Sequence, residues 1–230
     1  MMLSGADVRI FENKEAVAEA AAAIILARAR AAIAERERFK IVLAGGTTPT
    51  AAYRLLAKRD SDWAFWHVYH GDERCLAVGD PERNSLVADE AWLQHVPVPS
   101  GQVHAIPAEL GAASAAAAYA PVVADALPFD LVLLGMGEDG HTASLFPGQS
   151  ILPGPWVVPV HEAPKPPPDR VSLTSAALGR SRLILVLITG AGKRDALQRW
   201  QAGEQLPIAR VVGGAHSIAL VDREAAQALR

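Results

Sequence analysis

Lys40-Ile41-Val42-Leu43-Ala44-Gly45-Gly46-Thr47-Thr48-Pro49-Thr50 begins as an apolar, β-branched run and passes through two glycines to a proline. An uninterrupted apolar run of this length suits a strand covered on both faces. Pro49 suits the first position of a helix, where its missing N–H is not needed, and Thr48 reads as the N-cap. The stretch therefore predicts a strand at Lys40–Ala44, a tight turn and a helix at Pro49–Lys58. A strand that turns at once into a helix is half of a parallel crossover unit.

The same alternation extends in both directions. Further strands are predicted at Val8–Phe11, His67–His70, Phe129–Leu134, Trp156–Val160, Arg182–Ile188 and Ser217–Val221. Further helices are predicted at Lys14–Glu37, Asn84–Gln94, Ala112–Ala126, Lys193–Gln201 and Arg223–Leu229, with Ala20–Ala34 facing the core. The expected fold is α/β: a single domain over residues 1–230, with a mostly parallel twisted sheet and helices on both faces. Pro164-Lys165-Pro166-Pro167-Pro168 is too short for a linker and reads as a stiff, extended loop. Trp63, Trp66 and Trp92 read as packing residues.

Composition narrows the function by exclusion. The 230 residues carry 22 basic and 25 acidic side chains, a formal charge of −3, with no basic cluster to attract nucleic acid. One cysteine, Cys75, excludes a disulfide framework and a multi-cysteine zinc site. No apolar run reaches the roughly 18–20 residues that span a bilayer. Met1 to Asp7 lack the charged start and apolar stretch of a signal peptide, so a reducing cytoplasm is the expected location.

In an open α/β sheet, ligands bind beyond the carboxyl ends of the strands, so the loops there carry the chemistry. Gly45, Gly46 and Thr47 offer backbone N–H groups at a helix start, which favours a phosphate, although an ordinary tight turn fits the same residues. Gly135-Met136-Gly137-Glu138-Asp139-Gly140-His141-Thr142 fits the dinucleotide pattern, but Pro147-Gly148 follows too soon for the long helix that pattern requires. What remains is a loop presenting Asp139 and His141, and an imidazole there suits general-base work at neutral pH. Thr189-Gly190-Ala191-Gly192-Lys193 fails the P-loop pattern, yet it leaves Lys193 at a helix start where it can reach an anion. Gly71-Asp72-Glu73-Arg74 brings two carboxylates and a guanidinium to a strand end, or is simply a solvated turn. Arg170 can clamp a phosphate with its fork. His67 and His70 fall on opposite faces of their strand, which argues against shared metal ligation.

Taken together and in this order, these segments resemble the 6-phosphogluconolactonases of the pentose phosphate pathway. The resemblance rests on Leu43 to Pro49, on Asp72-Glu73-Arg74 with Asn84-Ser85, and on Gly135 to Pro147. It continues through Lys165 to Thr174 and the turn ending Gly192-Lys193, so it covers essentially the whole chain. The resemblance implies a fold similar to glucosamine-6-phosphate deaminase and ribose-5-phosphate isomerase. It also implies hydrolysis of a six-carbon sugar lactone phosphate, with His141 and Asp139 catalytic and no metal or cofactor. Gly45, Gly46, Thr47, Asp72, Arg74, Arg170 and Lys193 are then the substrate and phosphate residues. The partner is this small molecule, and the chain is expected to act as a monomer or weak homodimer without nucleic acid or membrane. The deaminases are the alternative. Their pattern implies a glutamate where this chain has Phe146 and a tyrosine where it has Arg74, and both departures favour the lactonase.

Overall fold

The computed structural model describes residues 2–3, 5–149, 154–213, 216–227 and 229. Its strands are β1 (Met2–Leu3), β2 (Ala6–Phe11), β3 (Phe39–Leu43), β4 (Trp66–His70), β5 (Asp72–Arg74), β6 (Val103–His104), β7 (Leu131–Gly135), β8 (Val157–Val160), β9 (Arg170–Leu173), β10 (Ile184–Ile188) and β11 (Ser217–Asp222). Its helices are α1 (Lys14–Arg36), α2 (Thr47–Leu56), α3 (Asn84–Ala91), α4 (Ala112–Ala126), α5 (Ser175–Gly179), α6 (Arg194–Gln201), α7 (Pro207–Val212) and α8 (Arg223–Ala226). Among the described residues, eight strands form one sheet in the order β1-β2-β11-β10-β7-β3-β4-β6. Within it every pairing is parallel except that of β1 with β2.

Period-two alternation explains why these strands are apolar throughout. Leu131 and Leu133 of β7 face a core with α1, α2 and α3, while Val132 and Leu134 face another with α4, α6 and α7. In α1, Val17, Ala21, Ile25, Ala29 and Ala32 make one buried stripe at helical spacing, and Asn13 caps the start by accepting the Ala16 N–H at 2.9 Å. Trp66 lies wholly buried against Phe39, Trp63 and Trp92, with ring centroids 4.7, 4.6 and 5.5 Å away. The tryptophans are core residues, as the sequence indicated.

The chain reverses its lateral direction at β3 and β7. From β3 it proceeds to β4 and β6 on one side, and from β7 to β10 and β11 on the other. These two strands pair only through Ile41–Leu131 and Val42–Val132, then part, so their carboxyl ends open a crevice. A second, antiparallel sheet of β5, β9 and β8 stands over that end. Gly71 joins the two: its N–H donates to Leu43 O at 2.9 Å and its carbonyl accepts from Leu173 N at 2.8 Å.

Several expectations are corrected here. Trp156–Val160 is not a strand of the parallel sheet; its Val157–Val160 portion pairs with β9 in the small one. The proline segment is not extended, because it connects the adjacent antiparallel strands β8 and β9 and folds back so that Ala163 N–H reaches Pro168 O at 2.9 Å. Thr48 is not an N-cap: α2 starts at Thr47 with Gly46 at the cap, and the Thr48 hydroxyl bonds Thr189 instead. The helix predicted at Asn84–Gln94 ends at Ala91, with a 3₁₀ turn at Leu93–His95 after it. Of the predicted Arg223–Leu229 helix, Arg223–Ala226 is seen and Ala228 lies outside the described residues, as do Met1 and Ser4 of the N-terminal stretch.

Replacing Trp66 by alanine removes the centre of the aromatic cluster and is expected to cost about 3–5 kcal/mol. Urea denaturation measures this. An unchanged midpoint would show that the cluster does not support the sheet.

Candidate functional site

Three strand ends of the main sheet and the small sheet enclose a cavity of about 390 Å³. One wall is the loop after β3. Its shape is fixed by Tyr53, whose buried phenol accepts the Ala44 N–H at 3.0 Å and donates to Ala44 O at 2.8 Å. Gly45 and Gly46 then lead into α2, whose first-turn N–H groups and positive dipole end suit an anion. Thr48 Oγ1 and Thr189 Oγ1, 2.7 Å apart, tie this loop to the one after β10.

The opposite wall is the loop after β7. Gly137 N–H donates to His141 O at 2.8 Å, Gly140 N–H to Gly137 O at 3.1 Å, and Thr142 Oγ1 to Gly135 O at 2.8 Å. The loop is thereby closed on itself, with the His141 ring at the cavity and Asp139 behind it. Asp139 Oδ1 accepts the His141 backbone N–H at 3.1 Å and lies 2.5 Å from Nδ1. A carboxylate can only accept, so Nδ1 carries the proton, and the neutral form of the ring has its lone pair on Nε2. Burial works against ionisation of Asp139, but the His141 backbone and ring outweigh it and hold the carboxyl below its ordinary range. The His141 side chain is 18% exposed and packs on Phe146, ring centroids 4.8 Å apart.

The small sheet supplies the remaining charge. Arg74 and Arg170 are cross-strand partners, and Asp72 shares β5 with Arg74. Arg170 is buried, with Nε donating to Pro167 O at 3.1 Å and Nη2 to Lys165 O and Pro166 O at 2.9 and 3.1 Å. Its guanidinium also lies 5.8 Å from the Phe146 ring centroid. Burial lowers the pKa of both Arg170 and Lys193, the signature of cations withdrawn from water. Arg74 Nη1 donates to Glu82 O at 2.7 Å. Asp72 is buried, and burial raises its pKa; the Ser144 hydroxyl donates to its Oδ2 at 2.7 Å.

Gly45, Gly46, Thr47, Asp72, Arg74, His141, Arg170 and Lys193 therefore all line one cavity, and Asp139 supports His141 from behind. Asn84, Thr48, Thr189, Ser144 and Lys165 contribute to the wall or its support without having been singled out as site residues. Ser144 and Asn84 lie in the segments that carry the resemblance, but their side-chain contacts to Asp72 join parts of the chain that no local pattern brings together. Cys75 is not on the cavity wall, and burial pushes its thiol up, away from a reactive thiolate. Among the described residues no group of three or more His, Cys, Asp or Glu is arranged to hold a metal.

Residues 12–220 match the family of glucosamine-6-phosphate isomerases/6-phosphogluconolactonase. The 6-phosphogluconolactonase of Mycobacterium leprae (strain TN) is 38% identical over 240 residues, covering 96% of this chain and 97% of that one. The crystal structure of 6-phosphogluconolactonase from Thermotoga maritima matches with a TM-score of 0.88 at 28% identity, covering 95% of this chain and 100% of its own. A monomeric glucosamine-6-phosphate deaminase matches at 0.83 with 23% identity, covering 96% and 99%, a likeness of fold.

The loop leaves no room beside the imidazole. A Cβ on Gly137 would stand 2.0 Å from His141 Nδ1 and 2.6 Å from Asp139 Oδ1. Gly137→Ala is expected to separate that pair while leaving the far-ultraviolet circular dichroism intact. The His141 ring resonances measure this; a spectrum identical to wild type would refute the packing described.

Proposed function

The chain belongs to the glucosamine-6-phosphate isomerase/6-phosphogluconolactonase family, and on that premise we propose that it hydrolyses 6-phospho-D-glucono-1,5-lactone to 6-phospho-D-gluconate. The observation that carries this reading is the Asp139–His141 pair set across one cavity from the start of α2. One end offers a base and the other an anion site, as a phosphorylated lactone requires.

The phosphate rests on Gly45, Gly46 and Thr47, with Lys193 and Arg170 beside it; Arg74 adds positive charge to the same mouth. Held there, the substrate presents C1 to His141. Nε2 takes a proton from water as the oxygen bonds C1, and the carbonyl electrons move to its oxygen. Collapse of that oxyanion breaks the bond from C1 to the ring oxygen, which recovers the proton from the imidazolium. The product is the open-chain acid, and Asp139 stabilises the imidazolium between the two transfers. General-base assistance accounts for roughly 10²–10⁴-fold in rate. A well-placed donor to the oxyanion adds about 3–4 kcal/mol.

Phe146 weighs against an isomerising deaminase, since it gives His141 an apolar ring as neighbour. Every proposed group comes from one chain, which suits a monomer or weak homodimer and one catalytic unit along the whole chain. The reaction is assigned to the cytoplasm. In support, the proposed substrate is a small phosphate ester; no helix among the described residues is long and apolar enough to cross a membrane, which by itself says nothing of location.

His141→Ala is expected to lower kcat by about 10²–10⁴-fold, with background hydrolysis subtracted, and to leave affinity for 6-phosphogluconate unchanged. Wild-type kcat in that variant would refute the base assignment, and ammonia release from glucosamine 6-phosphate would instead identify a deaminase. A second expectation follows from Lys193. Because burial lowers its pKa, it loses its charge at lower pH than an exposed lysine. Calorimetric affinity for 6-phosphogluconate should therefore decline as pH rises on the alkaline side, and Lys193→Arg, which stays charged, should flatten that decline. Parallel profiles for the two proteins would remove Lys193 from the phosphate site.

A further inference from the structure

Glu73 is wholly buried and takes no part in the mechanism above. Its Oε1 accepts the backbone N–H groups of Arg74 and Asn84, both at 2.8 Å, and its Oε2 accepts that of Ser85 at 2.8 Å. Asn84 and Ser85 open α3, so this carboxylate caps that helix from outside it and binds its first turn to β5. Arg83 lies alongside, with Nε 3.7 Å from Glu73 Oε2, Nη1 on Glu109 at 2.8 Å and Nη2 on Ile106 O at 2.9 Å. The backbone of Asn84 is thus fixed by buried charge.

Its side chain bridges the small sheet and the loop after β3. Asn84 Nδ2 donates to Asp72 O at 3.1 Å and to Asp72 Oδ1 at 3.2 Å. Its Oδ1 rests against Gly45, where an added Cβ would stand 2.2 Å away. One amide therefore spans from the Asp72 strand to the loop assigned to phosphate. The chemistry suits asparagine: its NH₂ meets a carbonyl and a carboxylate, both acceptors, which aspartate would repel and alanine would leave unmet.

We propose that Asn84 is a positioning residue that sets the gap between the Gly45 loop and Asp72, with Glu73 as the buried anion that holds it in place. The inference rests on the function proposed above. It adds that the distance from the phosphate to the reacting carbon is read by this amide. A ligand that fills both ends of the cavity feels it, and a ligand that fills only the phosphate end does not.

Two variants test this with 6-phosphogluconate and inorganic phosphate as probes. Asn84→Ala is expected to weaken 6-phosphogluconate by about tenfold or more, and inorganic phosphate far less, with a fall in kcat. Asn84→Asp keeps the shape but sets a carboxylate against Asp72. Its loss of kcat/KM should ease as pH falls and the two groups share a proton, a trend absent from wild type. Equal weakening of both probes by Asn84→Ala would overturn the proposal, as would wild-type kcat, KM and pH profile in the two variants. If Asn84→Asp does not fold, the probe comparison on Asn84→Ala decides alone. Wild type that binds 6-phosphogluconate but does not turn over lactone would refute the reaction, while the probe comparison would still decide the role of Asn84.

Discussion

Parallel strands β3 and β7 keep their ladder only at Ile41–Leu131 and Val42–Val132, and every part of the site follows from where they separate. Strands that part in the middle of a sheet leave their terminal backbone groups without a neighbour, and the loops that follow must satisfy them. The loop after β3 turns into α2 and leaves N–H groups facing the gap. The loop after β7 closes on itself and leaves an imidazole facing the same gap. Because both loops are anchored in strands buried on both faces, their separation is set by the rigid part of the molecule.

The small sheet completes the cavity at an electrostatic cost. Arg170 and Lys193 are partly withdrawn from water, and Asp72 and Glu73 are buried close by. Backbone carbonyls from the folded proline loop take two nitrogens of Arg170, and backbone N–H groups take the oxygens of Glu73. The charges of Arg170 and Glu73 are thereby held by dipoles of the main chain, while Asp72 is met by the side chains of Ser144 and Asn84. A cation site prepared in this way favours a dianion, which is how the proposed phosphate ester would be drawn to one mouth of a chain of net charge −3.

The sequence made the main sheet readable for a physical reason: strands such as Leu131–Gly135 and Ile184–Ile188 are buried on both sides and cannot carry polar residues. It hid the small sheet for the opposite reason. Asp72-Glu73-Arg74 has the composition of a solvated turn, and only its pairing with Arg170-Val171-Ser172 makes it a strand. Asp139 and His141 could be placed together in one short loop from the sequence, but their contact, with Oδ1 2.5 Å from Nδ1, is seen only in the structure. The contacts of Asn84 were not legible, since they join it to Asp72 and Gly45 in other segments of the chain. At α2, proline preference places the start at Pro49, whereas the helix starts at Thr47 with Gly46 at the cap, and the Thr48 hydroxyl meets Thr189 instead of capping.

A crystal structure with 6-phosphogluconate bound tests the arrangement most directly. Its phosphate should lie on the amides of Gly45–Thr47 within reach of Lys193 and Arg170, with the carboxylate carbon beside His141 Nε2. A phosphate seated against His141, or a sugar acid bound outside the crevice between β3 and β7, would contradict it.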